Sequence, residues 1–353
     1  MTFVLHTNSV SAHQLPLARE LVARLGADNF RYVYTDDAKG ASQEVSSSEP
    51  WITRDASCAE TCDVLLTGVR GAVDLMERRV AAGRRTLYMS ERWFKPIPVR
   101  GGWWLPGVLK LLHPGYFRMA WRFARLLRNP VFSYLPIGPW AAKDMRLIAG
   151  AAAARRFIPW GYFVAPSEAP VVPRSPLTPP VKLLCVGRLL SLKRLDTVIR
   201  AVKALPPDRY TLTIVGNGPE EGRLKALAAG APQIVFRPAV PLAEVRAVMR
   251  AHDVLVFASN GFEGWGAVVS EALVEGLRVI GSYEAGAPAA LLPKDHLFHC
   301  GDVKALCRLL KGDITPVSIG EWSASAAALR VVAGLRGIAT GNDTPRGPSA
   351  HPM

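Results

Sequence analysis

The chain has 353 residues, of which 49% are hydrophobic and 20% are charged. This length suits two domains of ordinary size, and the composition excludes a disordered chain. The 43 lysines and arginines exceed the 29 aspartates and glutamates by 14 charges, which favours an anionic partner: nucleic acid, an anionic membrane surface or a phosphorylated small molecule.

No pattern in the sequence indicates a metal site or a membrane span. The five cysteines show no metal-ligand spacing, and we interpret them as reduced thiols of a cytoplasmic protein. Adjacent Asp36 and Asp37 resemble a metal pair, but adjacent acids are commoner in solvated loops, so we predict no metal. The sequence shows no signal-peptide pattern and no apolar run of about 18 residues, so we expect any membrane contact to be peripheral.

The first half alternates short apolar runs with amphipathic stretches. Strands are predicted at 3–5, 32–34, 64–66 and 86–88, and helices over about 13–25 and 73–82. This alternation predicts a parallel sheet covered on both faces, which is a Rossmann-like arrangement.

Residues 92–143 carry nine basic side chains and no acidic one. On a helical projection, one side is basic and also has Trp121 nearby, while Met119 and Phe123 lie on the other side. The basic side holds Arg118, Arg122, Arg125 and Arg128. Either the helix lies on anionic lipid or it packs on the core with a solvated basic face, and the two interpretations stay open. Nucleic acid fits less well, since no nucleic-acid-binding module accompanies the charge.

Six prolines between 166 and 180 predict a stiff linker. The sequence therefore divides into a first domain at 1–165, the linker at 166–180 and a second domain at 181–312. A C-terminal helix at 313–340, packing back near the interdomain region, and a disordered tail at 341–353 complete the predicted organisation.

The second half repeats the strand and helix alternation and carries the polar motifs. Gly187-Arg188 ends a strand at 181–186, and Lys193 follows five residues later. Gly216-x-Gly218 ends the strand at 211–215. After the strand at 254–257 comes Glu263, the glycine turn Gly264-Trp265-Gly266 and, on the following helix, Glu271. Cations and glycine loops at the carboxyl ends of strands suit a phosphate, and carboxylates can accept hydrogen bonds from sugar hydroxyls.

In this order and spacing, these motifs resemble the donor-binding half of family 4 glycosyltransferases, which are retaining enzymes of the GT-B fold. The resemblance covers about 181–310. It implies an α/β architecture of two Rossmann-like domains facing across a cleft. It also implies a nucleotide-diphosphate sugar, a UDP- or GDP-sugar, as the donor, and no required cofactor or metal.

Residue roles follow from the resemblance. Arg188 and Lys193 would hold the diphosphate. Glu263 would face the transferred sugar, and Glu271 would accept hydrogen bonds from the ribose. The glycine loops at Gly187, Gly216 and Gly218, with the backbone of Gly264, Trp265 and Gly266, would approach the donor, and the nucleotide base would lie near 235–240.

The chain departs from the family pattern at two loops. Where many members have a Gly-Gly pair after the first strand, this chain has the stretch 8–13, and His13 becomes our first candidate for contact with the acceptor or the donor sugar. His113 is a poorer candidate, and 138–140 could line the acceptor side. The second departure is 284–288, which lacks the glutamate that ends the family's Gly-Gly-x-x-Glu turn.

The sequence thus predicts a retaining hexosyltransferase that transfers sugar to a glycan or lipid-linked acceptor. We expect it to act in surface polysaccharide, capsular polysaccharide or lipopolysaccharide synthesis, in the cytoplasm or at the inner face of the membrane. The alternatives are a sugar-nucleotide epimerase of the same fold and a non-catalytic, membrane-associated binding protein. A dehydrogenase is least favoured, because no G-x-G-x-x-G follows the first strand.

Overall fold

A computed structural model describes residues 1–35, 49–98, 104–168 and 176–335. Asp36, Asp37, Arg100 and the tail at 341–353 lie outside these ranges, as do residues 169–175 of the predicted linker. The chain forms two compact units, Met1–Ala165 with Glu321–Thr340, and Pro166–Gly320.

The first unit contains a six-stranded parallel sheet in the order β3-β2-β1-β4-β5-β8. Its elements in chain order are β1 Phe3–Thr7, α1 Leu15–Leu25, β2 Phe30–Tyr34, β3 Ile52–Thr53, α2 Ser57–Thr61, β4 Val64–Thr67, α3 Val73–Ala81, β5 Arg85–Ser90, the hairpin β6 Ile97–Pro98 and β7 Trp104–Leu105, α4 Pro114–Leu126, β8 Phe132–Pro136 and α5 Pro139–Ala149. A 3-10 helix at Gly107–Leu112 precedes α4.

The second unit has the same topology, with the parallel order β11-β10-β9-β12-β13-β14. Its elements are β9 Val181–Val186, α6 Leu195–Lys203, β10 Tyr210–Val215, α7 Glu221–Ala228, β11 Ile234–Arg237, α8 Leu242–Arg250, β12 Val254–Phe257, α9 Ala267–Val274, β13 Arg278–Ser282, α10 Gly286–Leu291, β14 Leu297–Phe298 and α11 Val303–Lys311. After this unit, α12 (Ala324–Leu335) packs against α1 of the first.

Fully buried strands explain why the sequence signal is strong. β1, β4 and β12 are buried along their whole length, as expected for parallel strands covered on both faces. The strands and helices predicted in the two halves are present, with ends shifted by a few residues, whereas the C-terminal helix predicted at 313–340 begins at Ala324. Five strands were not predicted: β8, which lies inside the basic segment, and the two-residue strands β3, β6, β7 and β14.

In both sheets the strand order reverses beside the first strand. In the second unit that reversal lies between β9 and β12, which pair at Val254↔Leu183. Ligands of open parallel sheets bind beyond the carboxyl ends of the strands at such a point. Within the described ranges, no helix is both long and apolar enough to span a bilayer.

Candidate functional site

The loop after β9 presents Arg188 at the carboxyl end of the sheet. Leu189 is buried and fixes the loop, since its amide donates to the Asn217 carbonyl at 2.9 Å and its carbonyl accepts from the Glu220 amide at 3.1 Å. Arg188 itself is exposed, and no hydrogen bond or ion pair within the described ranges engages its guanidinium. Its charge is therefore available to an anion.

The loop after β10 packs closely on the loop after β9, which explains its two glycines. A Cβ on Gly216 would lie 2.0 Å from the Gly187 carbonyl oxygen, and one on Gly218 would lie 2.4 Å from that of Leu189. The 235–240 stretch contacts the loop after β10, because the Ala239 amide donates to Asn217 Oδ1 at 3.0 Å. It therefore lies at the same carboxyl-end edge of the sheet.

The turn after β12 brings Glu263 to Lys193. The Asn260 amide donates to the Leu192 carbonyl at 2.8 Å, and the Glu263 amide donates to the Asn260 carbonyl at 3.0 Å. These bonds hold the two loops together, and Lys193 Nζ lies 2.5 Å from Glu263 Oε2. The predicted cation and carboxylate thus form an ion pair.

One depression in the second unit is lined by Arg188, Lys193, Phe257 and Ser259. Ser259 is 1% exposed, and its hydroxyl oxygen has no hydrogen-bond partner among the described residues. A buried, unpartnered hydroxyl beside two cations can bind a phosphate oxygen. Sequence analysis missed Ser259, although its place directly after an apolar strand was a usable signal.

The glycine turn Gly264-Trp265-Gly266 leads directly into α9, with Gly266 as the N-cap of the helix. Gly266 adopts φ +92°, and a Cβ there would lie 2.5 Å from Phe257 Cζ, so glycine is required. The Trp265 side chain is buried and donates to Ser270 Oγ at 3.2 Å, so the indole ring belongs to the core of the second unit. The Ala287 amide braces the turn by donating to the Trp265 carbonyl at 2.8 Å.

Glu271 is half-buried on α9, and its carboxylate makes no hydrogen bond within the described ranges. Burial raises the pKa of its carboxyl group, Arg246 opposes that shift and Glu275 adds to it. A desolvated carboxylate with free acceptor positions is suited to receive hydroxyl donors.

Glu275, one turn further on, has the opposite environment. Its side chain is fully buried, but Arg246 lies 3.4 Å away, Arg250 lies 2.7 Å away and Ser167 Oγ donates to it at 2.9 Å. These partners fix the C-terminal end of α9 to α8 and to the start of the linker. Sequence analysis did not identify this cluster, which fixes the helix end one turn after Glu271.

In the first unit, α1 begins at Leu15, so His13 lies two residues before the helix rather than on it. The His13 ring stacks on that of Tyr162 with centroids 5.9 Å apart, and burial lowers the pKa of His13. The Tyr162 hydroxyl donates to Glu91 at 3.0 Å, and Lys95 also contacts Glu91 at 3.1 Å. Glu91 follows β5 directly, a signal that sequence analysis missed.

The other candidates of the first unit, His113 and 138–140, make contacts within that unit. His113 caps α4, since its Nδ1 accepts from the Gly115 amide at 3.2 Å. Gly138 adopts φ +84° before α5, and Trp140 lies beneath Arg92 and Lys143 at 5.8 and 5.6 Å from its ring centroid.

The structure corrects the predicted basic face of α4. Arg122 forms ion pairs with Asp74 and with Glu77, both on α3, the latter at 2.6 Å. The helical projection had placed Arg122 on one exposed face with Arg118, Arg125 and Arg128. The ion pairs show instead that Arg122 is directed toward α3. The reason is a neighbouring acidic helix, which a projection of α4 alone does not contain.

The exposed face of this region is apolar as well as basic. Leu112 is 81% exposed, Phe117 62% and Trp121 56%. Arg118 and Arg125 are exposed on α4, and Arg128 is exposed just after its end. We call these six residues, with the exposed Leu105, Val108 and Leu109, the apolar-basic surface.

No metal site is found within the part of the chain that the structure describes. No three His, Cys, Asp or Glu side chains come together there as ligands. All five cysteines are free thiols.

Known proteins resemble this chain in part of its sequence and in its fold. The family model described as Glycosyl transferases group 1 matches residues 180–311. No curated protein matches the chain in sequence. Solved structures match the chain at low identity, and the prediction of a GT-B fold with two Rossmann-like domains is confirmed. Each unit has a six-stranded parallel sheet.

Three of these structures illustrate the likeness. The apo lipopolysaccharide outer core galactosyltransferase WaaB is 14% identical with a TM-score of 0.66, over 95% of this chain and 99% of that chain. Anabaena Alr3699/HepE in complex with UDP is 15% identical with a TM-score of 0.59, over 95% of each chain. Sucrose-phosphate synthase from Thermosynechococcus elongatus is 16% identical with a TM-score of 0.53, over 88% of this chain and 89% of that chain.

Glu271 on α9 and Glu275, which follows α9 directly, predict opposite effects of a substitution by glutamine. Because the pKa of Glu271 is raised, its ionised form costs folding free energy at neutral pH and not below the ordinary glutamate pKa. Glu271→Gln should therefore raise the thermal unfolding midpoint at pH 7, with the gain vanishing near about pH 4. Glu275→Gln should lower stability at pH 7 by about 2 kcal/mol, because two arginines lose their buried partner.

Thermal unfolding of the wild type and both variants at the two pH values checks this prediction. A lower midpoint for Glu271→Gln at pH 7 would contradict the assignment of Glu271 as an unpaired, desolvated carboxylate.

Proposed function

We propose that this protein is a retaining hexosyltransferase of family 4. The match of residues 180–311 to the family model described as Glycosyl transferases group 1 supports this proposal. Its donor is a nucleotide-diphosphate sugar and its acceptor a glycan or lipid-linked hydroxyl.

One observation carries the proposal: two cations and an unpartnered hydroxyl line a single depression where the sheet order of the second unit reverses. Arg188 has no counterion among the described residues, and Lys193 and Ser259 line the same depression. A diphosphate bound there would be neutralised by the two side chains that are also able to stabilise it as it leaves.

The remaining contacts that we propose for the donor lie at the same carboxyl-end edge of the sheet. Glu271 would receive the ribose hydroxyls, because its carboxylate is half-buried with free acceptor positions. Glu263 would receive hydroxyls of the transferred sugar, and the base would lie over 235–240. HepE binds UDP and UDP-glucose, which supports a UDP-sugar as the donor to test first.

In the proposed reaction, the bond between the anomeric carbon and the phosphate oxygen breaks as the acceptor oxygen bonds to the same face of the sugar. The departing phosphate takes the acceptor's hydroxyl proton, so the anomeric configuration is retained without a side-chain nucleophile. Arg188 and Lys193 stabilise the negative charge that grows on the phosphate as the transition state is reached, so they lower its free energy more than that of the bound donor.

Arg188→Ala should lower the rate of transfer, or of donor hydrolysis, by about 100-fold, because a charge contact made to the transition state is lost. Arg200→Ala, which removes an exposed arginine of α6, is the matched control and should keep the wild-type rate. Turnover of UDP-sugars by the three proteins is the measurement. An unimpaired Arg188→Ala enzyme would contradict the proposed site.

For the acceptor, we propose a glycan carried on lipid at the inner face of the cytoplasmic membrane, in surface polysaccharide, capsular polysaccharide or lipopolysaccharide synthesis. The support is the apolar-basic surface, in which large apolar side chains protrude beside three exposed arginines. Apolar side chains enter the boundary between headgroups and acyl chains, and arginines attract anionic headgroups. WaaB acts on the lipopolysaccharide outer core, which is an acceptor of this class.

The surface predicts salt-sensitive binding to vesicles that contain phosphatidylglycerol. The double variant Phe117→Ser/Trp121→Ser should lower the vesicle-bound fraction at least about tenfold, since two large apolar side chains no longer leave water. Leu147→Ser removes a comparably exposed leucine of α5, 60% exposed, and should leave binding unchanged.

Vesicle sedimentation at low and high salt is the measurement. No binding of the wild type at low salt would remove the membrane proposal, and a concentration-dependent dimer that the double variant abolishes would assign the surface to a second copy of the chain instead.

A further inference from the structure

The ion pair between Lys193 and Glu263 engages a cation that the proposed function requires for phosphate. Three cations lie on the loop after β9 and the turn that follows it. Arg188 has no partner among the described residues, Arg194 is held by Asp196 at 3.1 Å, and Lys193 is held by Glu263 at 2.5 Å. Of the two cations that line the depression, one is therefore already neutralised by a protein carboxylate.

This ion pair differs from an ordinary surface pair in how firmly it is held. The side chains are 22% and 17% exposed, and the backbone bond from Asn260 to Leu192 fixes the distance between the two loops. The Phe257 ring lies 5.4 Å from Lys193 Nζ and closes one side of the ammonium group. Lys193 is thus restricted to a small region in which Glu263 and a phosphate would compete for it.

We propose that Glu263 competes with the diphosphate for Lys193 and thereby favours release of the nucleoside diphosphate after the sugar has gone. The inference rests on the proposed function and adds a second role to a residue expected to contact the sugar. A diphosphate that reaches Lys193 must separate the ammonium from Glu263, which leaves a half-buried carboxylate without its partner.

The donor and the product differ in whether they compensate that carboxylate. A donor brings sugar hydroxyls that can donate to Glu263 once Lys193 has turned to the phosphate. The product has no sugar, so Glu263 stays unsatisfied and negatively charged close to the phosphate, and the bound product is destabilised. Glu263 then recovers Lys193 as the product leaves.

The test uses inorganic pyrophosphate as a probe that has the diphosphate charge and no sugar. By isothermal titration at fixed ionic strength, Glu263→Gln should bind pyrophosphate about fivefold more tightly than the wild type, because a neutral amide neither holds Lys193 nor repels phosphate. Glu263→Ala should show the same direction and serves if the glutamine variant fails to fold. Glu60→Gln removes the partner of Arg78 in the first unit and is the control for the added positive charge.

A double-mutant cycle assigns the effect to Lys193. In a Lys193→Gln background, Glu263→Gln should lose most of its fivefold gain, because the ammonium for which the carboxylate competed is absent. A gain that persists in that background reports a general field effect and overturns the inference.

The outcomes also separate this inference from the proposed function. Pyrophosphate that binds the wild type but binds Glu263→Gln equally or more weakly removes the competition and leaves the diphosphate site in place. No pyrophosphate binding to wild type or variants, at low salt, removes the site and the competition together.

Discussion

The pairing of β9 with β12 is the constraint on which the candidate site depends. It brings together two loops that are separated by about 70 residues in the chain, one with Arg188 and Lys193 and the other with Glu263. A single backbone bond, from Asn260 to Leu192, then fixes their distance beyond the end of the sheet. The glycine loop after β10 and the start of α10 pack around this junction, so the geometry of the site is set by backbone contacts rather than by flexible side chains.

The acids around this junction have distinct environments. Glu275 is buried with two arginines and a serine hydroxyl, so its charge stabilises the fold. Glu271, one turn earlier on α9, is desolvated without such partners. Burial therefore disfavours its ionised form and raises the pKa of its carboxyl group. Glu263 has one partner, Lys193, that a ligand can take. A carboxylate with few protein partners keeps acceptor positions for a ligand, although its burial lowers the stability of the fold. The proposed ligand contacts therefore lie at the carboxylates that the fold stabilises least.

Much of the fold was predictable, because strands buried on both faces appear in the sequence as short apolar runs between glycine turns. β8 was missed since its residues, Phe132–Pro136, lie within a segment interpreted from its charge. β3 and β14 have two residues each, too few for any periodic signal. The motifs located the loops of the site but not the contacts between side chains. Nothing in the local pattern links Lys193 to Glu263, pairs Arg122 with the acids of α3, or indicates that the Ser259 hydroxyl has no partner among the described residues. Such contacts depend on neighbouring elements distant in sequence.

Placement of the diphosphate against Arg188 and Lys193, with the ribose on Glu271, is the central assignment for this protein. A crystal structure of the chain with UDP tests it most directly. We expect phosphate oxygens within about 3.2 Å of both cations and of the Ser259 hydroxyl, and ribose hydroxyls donating to Glu271. UDP bound to the first unit alone, or bound in the second unit with its phosphates directed away from Arg188 and Lys193, would contradict it.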